Sequence, residues 1–441
     1  MISGTILYVD RDADERFIAE PRGSKNNPLN SIRLAMAEIE RRRDASYQNP
    51  YYVHLAPGVY RERVVVRSPF VRLVGIGGVN NVVILPTSGP AILVTNATLG
   101  SIETFLAASG DLVANADAQF GLLQADPELV FPGGLSHPTG FSMTGITLSN
   151  FTKAQTTHFC FMAINAGDGA DGFSSVDGDR LVRDCTFDEG VYIRNTFSWR
   201  LFSNYVRGPI YTRNNRTIDI QHTTTFSEIR HRFDGAEPSP PAPFDVQGII
   251  NSVHNTVGTA LTLQGNLLAQ DFMSHFFTNI SLEDTCILTL RLSTLNDLLQ
   301  QETTTLTFDG GMVRRDYVVS SPGTLTGTFN DVQIKRHVTL NAGGTKTIIF
   351  NHCRYFGTLT DPDAVLVLNE GAGGPPAGGG DTAVTELFSP ANGQTLFTLS
   401  QTPLSNPEIE FEVNGIEYVY GTDFTRVGND ITWLDTPFTL T

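Results

Sequence analysis

The 441-residue chain is short of lysine, short of cysteine, and has no long apolar run. Each shortage excludes something. No stretch approaches the ~18–20 apolar residues of a membrane helix, so no membrane insertion is expected. Cys160, Cys185, Cys286 and Cys353 lie far apart, with neither a Cys-x-x-Cys pair nor a close histidine. A disulfide framework or zinc site is therefore not expected, and the four read as buried free thiols. Only Lys25, Lys153, Lys335 and Lys346 represent lysine among 30 basic residues, against 46 acidic ones. The resulting net charge of −16 repels phosphate backbones, which argues against a nucleic-acid partner. The opening Met1-Ile2-Ser3-Gly4-Thr5 lacks the basic and apolar regions of a signal peptide, so synthesis in a cytoplasm is expected.

Nucleotide-binding, hydrolase and metalloprotease signatures are missing too: there is no Walker loop, Gly-x-Ser-x-Gly elbow or His-Glu-x-x-His. Asp168-Gly169-Ala170-Asp171-Gly172 and Asp177-Gly178-Asp179 fit neither an EF-hand nor a calcium-binding nonapeptide repeat, and read as Asp-Gly turns. No cofactor and no metal are expected.

What is present is turn chemistry and β-branched residues. Gly (41) and Pro (23) exceed what a helical bundle tolerates, while 40% apolar content suffices for a sizeable core. Thr5-Ile6-Leu7-Tyr8-Val9 reads as a strand. Pro28 to about Asp44 reads as a helix, with Asn27 as its cap and Leu29, Ile32, Met36 and Ile39 on one face. Arg41-Arg42-Arg43 suits the helix C-terminus. From Tyr51 onward, runs of four or five β-branched residues alternate with Gly, Pro, Asn or Ser, as in Val71-Arg72-Leu73-Val74 and Val82-Val83-Ile84-Leu85. No amphipathic helices intervene to cover an α/β sheet. Coil-like spacing without repeated two-residue hairpin turns favours a parallel β-helix over a sandwich.

This gives an all-β fold, a right-handed parallel β-helix with an N-terminal capping helix and a small C-terminal antiparallel β-sandwich. Residues 1–50 form the N-terminal strand and helix, and 51–368 the β-helix, with a partly helical insertion near 97–137 and a Pro-rich excursion at 234–243. A Gly/Pro linker at 369–380 leads to a β-sandwich module at 381–441, where Asn414-Gly415 and Gly428-Asn429 mark hairpins.

Residues 51–94 resemble the first coils of pectin-methylesterase-like and pectin-lyase-like β-helices. The resemblance is carried by Leu55 to Val64, Val71-Arg72-Leu73-Val74-Gly75 and Val83-Ile84-Leu85. The family's Gly-x-Tyr-x-Glu pattern falls on Gly58, Tyr60 and Glu62, implying a turn feeding a strand whose tyrosine packs while its glutamate faces out. The C-terminal stretches Phe397 to Pro403, Val413 to Tyr418 and Gly421 to Thr425 resemble small β-sandwich modules of tailed-phage virion proteins. Together they imply a phage spike, fibre or decoration protein located in the virion. Such a protein would be a homotrimer contacting other virion proteins and host-surface glycans.

The esterase chemistry does not carry over, because Arg183 to Tyr192 holds no counterpart of the family's Gln-Asp-Thr-Leu. A polysaccharide depolymerase on the same scaffold is the alternative function. Its carboxylates would come from Asp184, Asp188 and Glu189, or from Glu228 and Asp234 beside His231, and a lyase would use Tyr192 with Arg194. No catalytic residue is assigned. Tyr192, Phe197, Trp199, Phe202, Tyr205 and Tyr211 crowd one window with Arg194, Arg200, Arg207 and Arg213. Turned outward, Tyr192, Arg194, Trp199, Tyr205 and Tyr211 would contact glycan or a neighbouring subunit. Turned inward, half of the aromatics would be core.

Overall fold

The computed structural model describes residues 4–14, 20–87, 89–108, 122–132, 138–149, 159–164, 180–194, 198–213, 215, 217–233, 248–265, 267–320 and 323–369. Near the C-terminus it describes 396–398, 411–413, 416–418, 424–427 and 430–433. The Pro-rich 234–243, most of 109–137 and the 369–380 linker beyond Asn369 lie outside these.

Strands dominate, and nearly all of them pair in parallel. Three ladders run side by side up to residue 233. The first stacks Thr5–Val9, Tyr51–Leu55, Val71–Gly75, Ser142–Thr144, Arg180–Arg183, Ser198–Phe202 and Thr217–Gln221. The second runs from Gly58–Tyr60 to Thr224–Thr225, and the third from Val64–Val66 to Glu228–Phe233. All three meet the long strand Gly248–Gly265. Beyond it, longer strands (Ile287–Leu295, Thr305–Val313, Thr324–Ile334) span the positions of the first two ladders. Asp297–Gln300, Tyr317–Val319, Val338–Leu340 and Leu359–Thr360 continue the third.

Within each strand alternate side chains turn to the core, as the two-residue period requires. Val182, Leu201 and Ile220 of the first ladder, Phe187 and Val206 of the second, and Ile193 and Ile210 of the third join one continuous cluster reaching from Leu7 to Cys353. Trp199 lies inside it, fully buried, its ring 5.5 Å from that of Phe161 and 6.1 Å from that of Phe141.

The turn from the first ladder to the second uses one left-handed residue in rung after rung: Gly145, Asp184, Ser203 and His222, then Leu292, Gly310, Asp331 and His352. Glycine, aspartate, serine and histidine tolerate that conformation; leucine does so at a cost. The residue after each corner faces inward. Asn204 uses its side chain there to replace lost backbone partners, accepting from the Cys185 amide at 3.1 Å and donating to the Val182 carbonyl at 2.9 Å. Cys185 and Cys353 occupy the same inner corner. All four cysteines are free and buried, and burial pushes the Cys185 thiol up to about 12.

The first helix, α1, spans Ile32–Arg42, four residues later than the sequence suggests. Ser31 is the cap and not Asn27, because Leu29 is held as a parallel bridge to Val9 before the helix can begin. Glu62 completes the cap. It accepts from the Ser31 hydroxyl at 2.8 Å and from the amides of Ile32 and Arg33 at 2.8 and 3.0 Å. The expected outward glutamate is thus a helix-capping residue, while Tyr60 packs as expected, with its hydroxyl donating to the Ala56 carbonyl at 2.8 Å. Ile32, Ala35, Met36 and Ile39 seat α1 on the first strands. Arg41 and Arg42 pair with Glu38, and hydrogen bonding to Arg41 above all lowers that carboxyl to about 2.

The second helix, α2 (Leu99–Ala108), lies in the predicted insertion. Its Ile102 and Phe105 cover Leu93, Met162 and Tyr192 on the outer face of the third ladder, making a second apolar cluster. At the C-terminus the pairing switches to antiparallel, Phe411–Val413 with Ile416–Tyr418 and Phe424–Val427 with Asp430–Trp433. These flank the two predicted hairpin dipeptides.

Candidate functional site: the outer face of the first ladder

Register places outward side chains of successive rungs in columns. Leu181, Arg200 and Asp219 align in one column, and Arg183, Phe202 and Gln221 align two residues along. Together with Leu201 these six line a shallow depression of about 150 Å³. Arg200 Nε lies 3.9 Å from the Asp219 carboxylate, and Arg183 Nε lies 3.6 Å from that of Asp184. The exposed Phe202 ring meets His222 edge-on, with centroids 5.2 Å apart.

The same columns continue toward the N-terminus as Tyr52, Arg72 and Ser142, and as Tyr8, His54, Val74 and Thr144. Arg72 lies over the Tyr52 ring at 5.0 Å and donates to its hydroxyl at 2.8 Å. Tyr8 and His54 pack edge-on at 5.3 Å, and partial burial lowers the His54 pKa below its ordinary value. The face therefore presents two groups of rings and guanidinium side chains, Tyr8, Tyr52, His54 and Arg72 toward the N-terminus and Arg183, Arg200 and Phe202 further along, separated by Val74, Ser142, Thr144 and Leu181. Rings supply flat apolar contact, and arginines supply fixed donors to hydroxyl or carboxylate oxygens.

The structure divides the sequence-derived set. Trp199 is core. Tyr192 is 3% exposed beneath α2 and Arg194 is 4% exposed, so these three do not offer an outer surface. Tyr211 is half-buried against the same cluster; its hydroxyl donates to Glu228, and Arg230 stacks 5.1 Å over its ring. Burial and the Glu228 carboxylate push the Tyr211 phenol up to about 12. Of the five, Tyr205 alone is well exposed, its ring tilted against that of Phe226 with centroids 4.9 Å apart. Phe197 lies outside the described residues.

Among the described residues, the candidate carboxylates Asp184, Asp188 and Glu228 each lie beside an arginine, and Glu189 follows Asp188 with its Oε2 buried. Asp188 pairs with Arg207 at 3.2 Å, and Asp184 sits at a corner beside Arg183. His231 faces the core, hydrogen-bonded through Nδ1 to Thr212 Oγ1 at 2.5 Å, whereas Glu228 faces outward with Arg230 at 3.2 Å. Burial lowers the His231 pKa to about 3. Asp234 and the Asp168–Asp179 stretch lie outside the described residues. Among those described, no group of three His, Cys, Asp or Glu is placed to hold a metal, and no helix is long and apolar enough to cross a membrane.

No local motif marks Leu181, Asp219 and Gln221. The signal that finds them is the 19-residue step between rungs, seen in the Thr212–His231 pair, applied outward from Arg200 and Phe202. No family model, curated protein or solved structure matches the chain.

Proposed function

We propose that the chain is a structural protein of a tailed-phage or related virion: a trimeric spike, fibre or decoration protein used in particle assembly or host-surface attachment. In this reading the three ladders are the faces of a right-handed parallel β-helix, α1 covers its N-terminal end, and the C-terminal strands belong to a sandwich-like docking module. The observation that carries the reading is the stack of in-register parallel strands, with successive rungs 18–21 residues apart wherever no longer excursion intervenes, around one continuous core. A rod grown by repeating one rung suits a protein that must reach outward and resist shear. The resemblance of the C-terminal stretches to virion modules supplies the phage context.

Attachment is assigned to the outer face of the first ladder, where Arg183, Arg200 and Phe202 are exposed beside Asp219 and Gln221. The lining holds a single carboxylate, Asp219, already beside Arg200, so the face is suited to holding a glycan and lacks the paired carboxyls that hydrolysis uses. Two measurements test this. Antibodies against the purified chain should decorate tailed particles made by cells carrying its gene, and label confined to the soluble fraction would overturn the virion assignment. Purified lipopolysaccharides and capsular polysaccharides, screened for retention and for release of reducing ends, separate attachment from depolymerisation. Retention lost in Arg200→Ala and Phe202→Ala without new reducing ends is expected; reducing-end release would establish the depolymerase alternative.

A further inference from the structure

A second outer face differs in kind from the first. After residue 285 the outward columns hold threonine and aliphatic residues: Ile287, Thr305, Thr326 and Thr347 in one, and Thr289, Thr307, Thr328, Ile349 and Val367 in the next. In a chain of net charge −16 these two columns carry no charged residue over successive rungs. Ile287 and Val367, at opposite ends of the array, are 36% and 48% exposed.

The column on their C-terminal side begins with the exposed Arg291 in register with Asp309 and continues as an amide ladder bonded along its own axis. Asn369 donates to Asn351 at 2.5 Å, Asn351 to Asn330 at 2.6 Å, and Asn330 to Asp309 at 2.5 Å. Those amides spend their hydrogen bonds between rungs, which lowers the cost of covering them.

We propose that this threonine face is where a second copy of the chain packs. The inference deepens the oligomeric reading above, on which it rests, by naming the face. Three physical reasons select a copy of the same chain. Two such acidic proteins approach with least repulsion through columns that carry no charge, flanked by one Arg291–Asp309 pair of opposite signs. The β-branched threonines and isoleucines are stiff at χ1, so the array is rigid before it is covered. Its rows repeat at the ~4.8 Å strand spacing, and an identical ladder offers rows of that same pitch for side chains to interdigitate.

The chain suits a direct test, because its four native cysteines are all buried and free. Thr307→Cys places one reporter thiol in the middle of the array, and Thr144→Cys, at an outward threonine that is half-buried to the same class, places one on the first-ladder face. Light scattering of the full-length protein should give a multiple of 48.1 kDa, and maleimide should label Thr307→Cys about tenfold more slowly than Thr144→Cys, as expected of a covered site. Thr307→Arg should shift the mass to a single chain while its circular dichroism stays that of the parent. If that variant fails to fold, the labelling ratio decides alone. Equal labelling in a multimeric protein overturns the face while leaving the spike reading standing. A single-chain mass for the unmodified protein overturns both the face and the trimer.

Discussion

The rungs before Gly248 and those after Ile287 share one interior and wear different exteriors. Inside, both halves stack large apolar side chains in register: Trp199 with Phe141 and Phe161 in the first, and Phe308, Phe329 and Phe350 in the second, with ring centroids 4.9–6.2 Å apart in the latter series. Outside, the first half shows arginine, tyrosine, histidine and phenylalanine interspersed with valine, serine, threonine and leucine, and the second shows threonine, isoleucine and an amide ladder that begins at Arg291 and Asp309. Repetition of the backbone thus constrains the inward residue strongly and leaves the outward one free. Function is to be sought in how the exteriors differ.

The shared interior is the part most easily broken. Trp199→Ala and Phe329→Ala should each lose about 3–5 kcal/mol, the cost of a large aromatic cavity in a well-packed core. Urea unfolding would measure both, and a loss under about 1 kcal/mol at either site would mean that the two interiors are not equivalent. By contrast, Phe202→Ala, on the exposed face, should stay within about 0.5 kcal/mol and alter binding instead.

His231 sharpens the comparison, because it is an inward polar group in a position where the next rung places Leu263. Its folded pKa of about 3 lies below the ordinary 6.5. Above pH 6.5 neither state carries the proton and the residue has no pH effect. As pH falls from 6.5 toward 3 the unfolded chain takes up the proton and the folded one does not, so stability falls with acidification. The slope is about 1.4 kcal/mol per pH unit, or about 2 kcal/mol between pH 6.5 and 5. His231→Leu should flatten that limb of the urea-midpoint profile. An unchanged slope would locate the acid sensitivity in other groups.

At the N-terminal end, Glu62→Ala removes three hydrogen bonds to the start of α1 and should cost about 1 kcal/mol. A change of that size in thermal unfolding, absent in Glu103→Ala on the exposed side of α2, would separate capping from loss of a surface charge.

Much of this was readable from the sequence, up to a definite point. Short β-branched runs and their punctuation mark the strands, and Asn414-Gly415 marks a hairpin by turn chemistry alone. Phase is harder. In Ser198-Trp199-Arg200-Leu201-Phe202 alternation puts Trp199 with Leu201 and Arg200 with Phe202, but nothing local says which pair faces the core. Grouping Trp199 with Tyr205 as a surface pair therefore fails, while the neighbouring Arg200 and Phe202 line the depression. Tyr192 is buried for a reason no local pattern carries, since α2 arrives from about ninety residues earlier to cover it. Asn27-Pro28 is a sound cap by itself, so local chemistry places the helix start there, and only the tertiary bridge of Leu29 to Val9 defers the first turn to Ser31.

The smallest expected effect concerns the corner that both halves share. Leu292 holds the left-handed turn at φ 45° with its side chain 64% exposed, where other rungs use Gly145, Asp184, Ser203, Gly310 or Asp331. A leucine there strains the backbone by about 1 kcal/mol relative to a residue that tolerates the region. Its one evident compensation is contact: a side chain on Gly310 would come within 2.9 Å of the Leu292 Cδ2 methyl, so the leucine lies over that glycine. Exposed as it is, this contact removes little apolar area from water and should not offset the strain. Leu292→Asn should therefore raise stability, by up to about 1 kcal/mol, whereas Asp331→Leu at the equivalent corner should lower it by a similar amount. If Leu292→Asn instead destabilises, the leucine contributes more through its contacts than the corner strain removes. Repeating the urea titration across a range of protein concentrations would then tell whether those contacts lie within one chain or against a second.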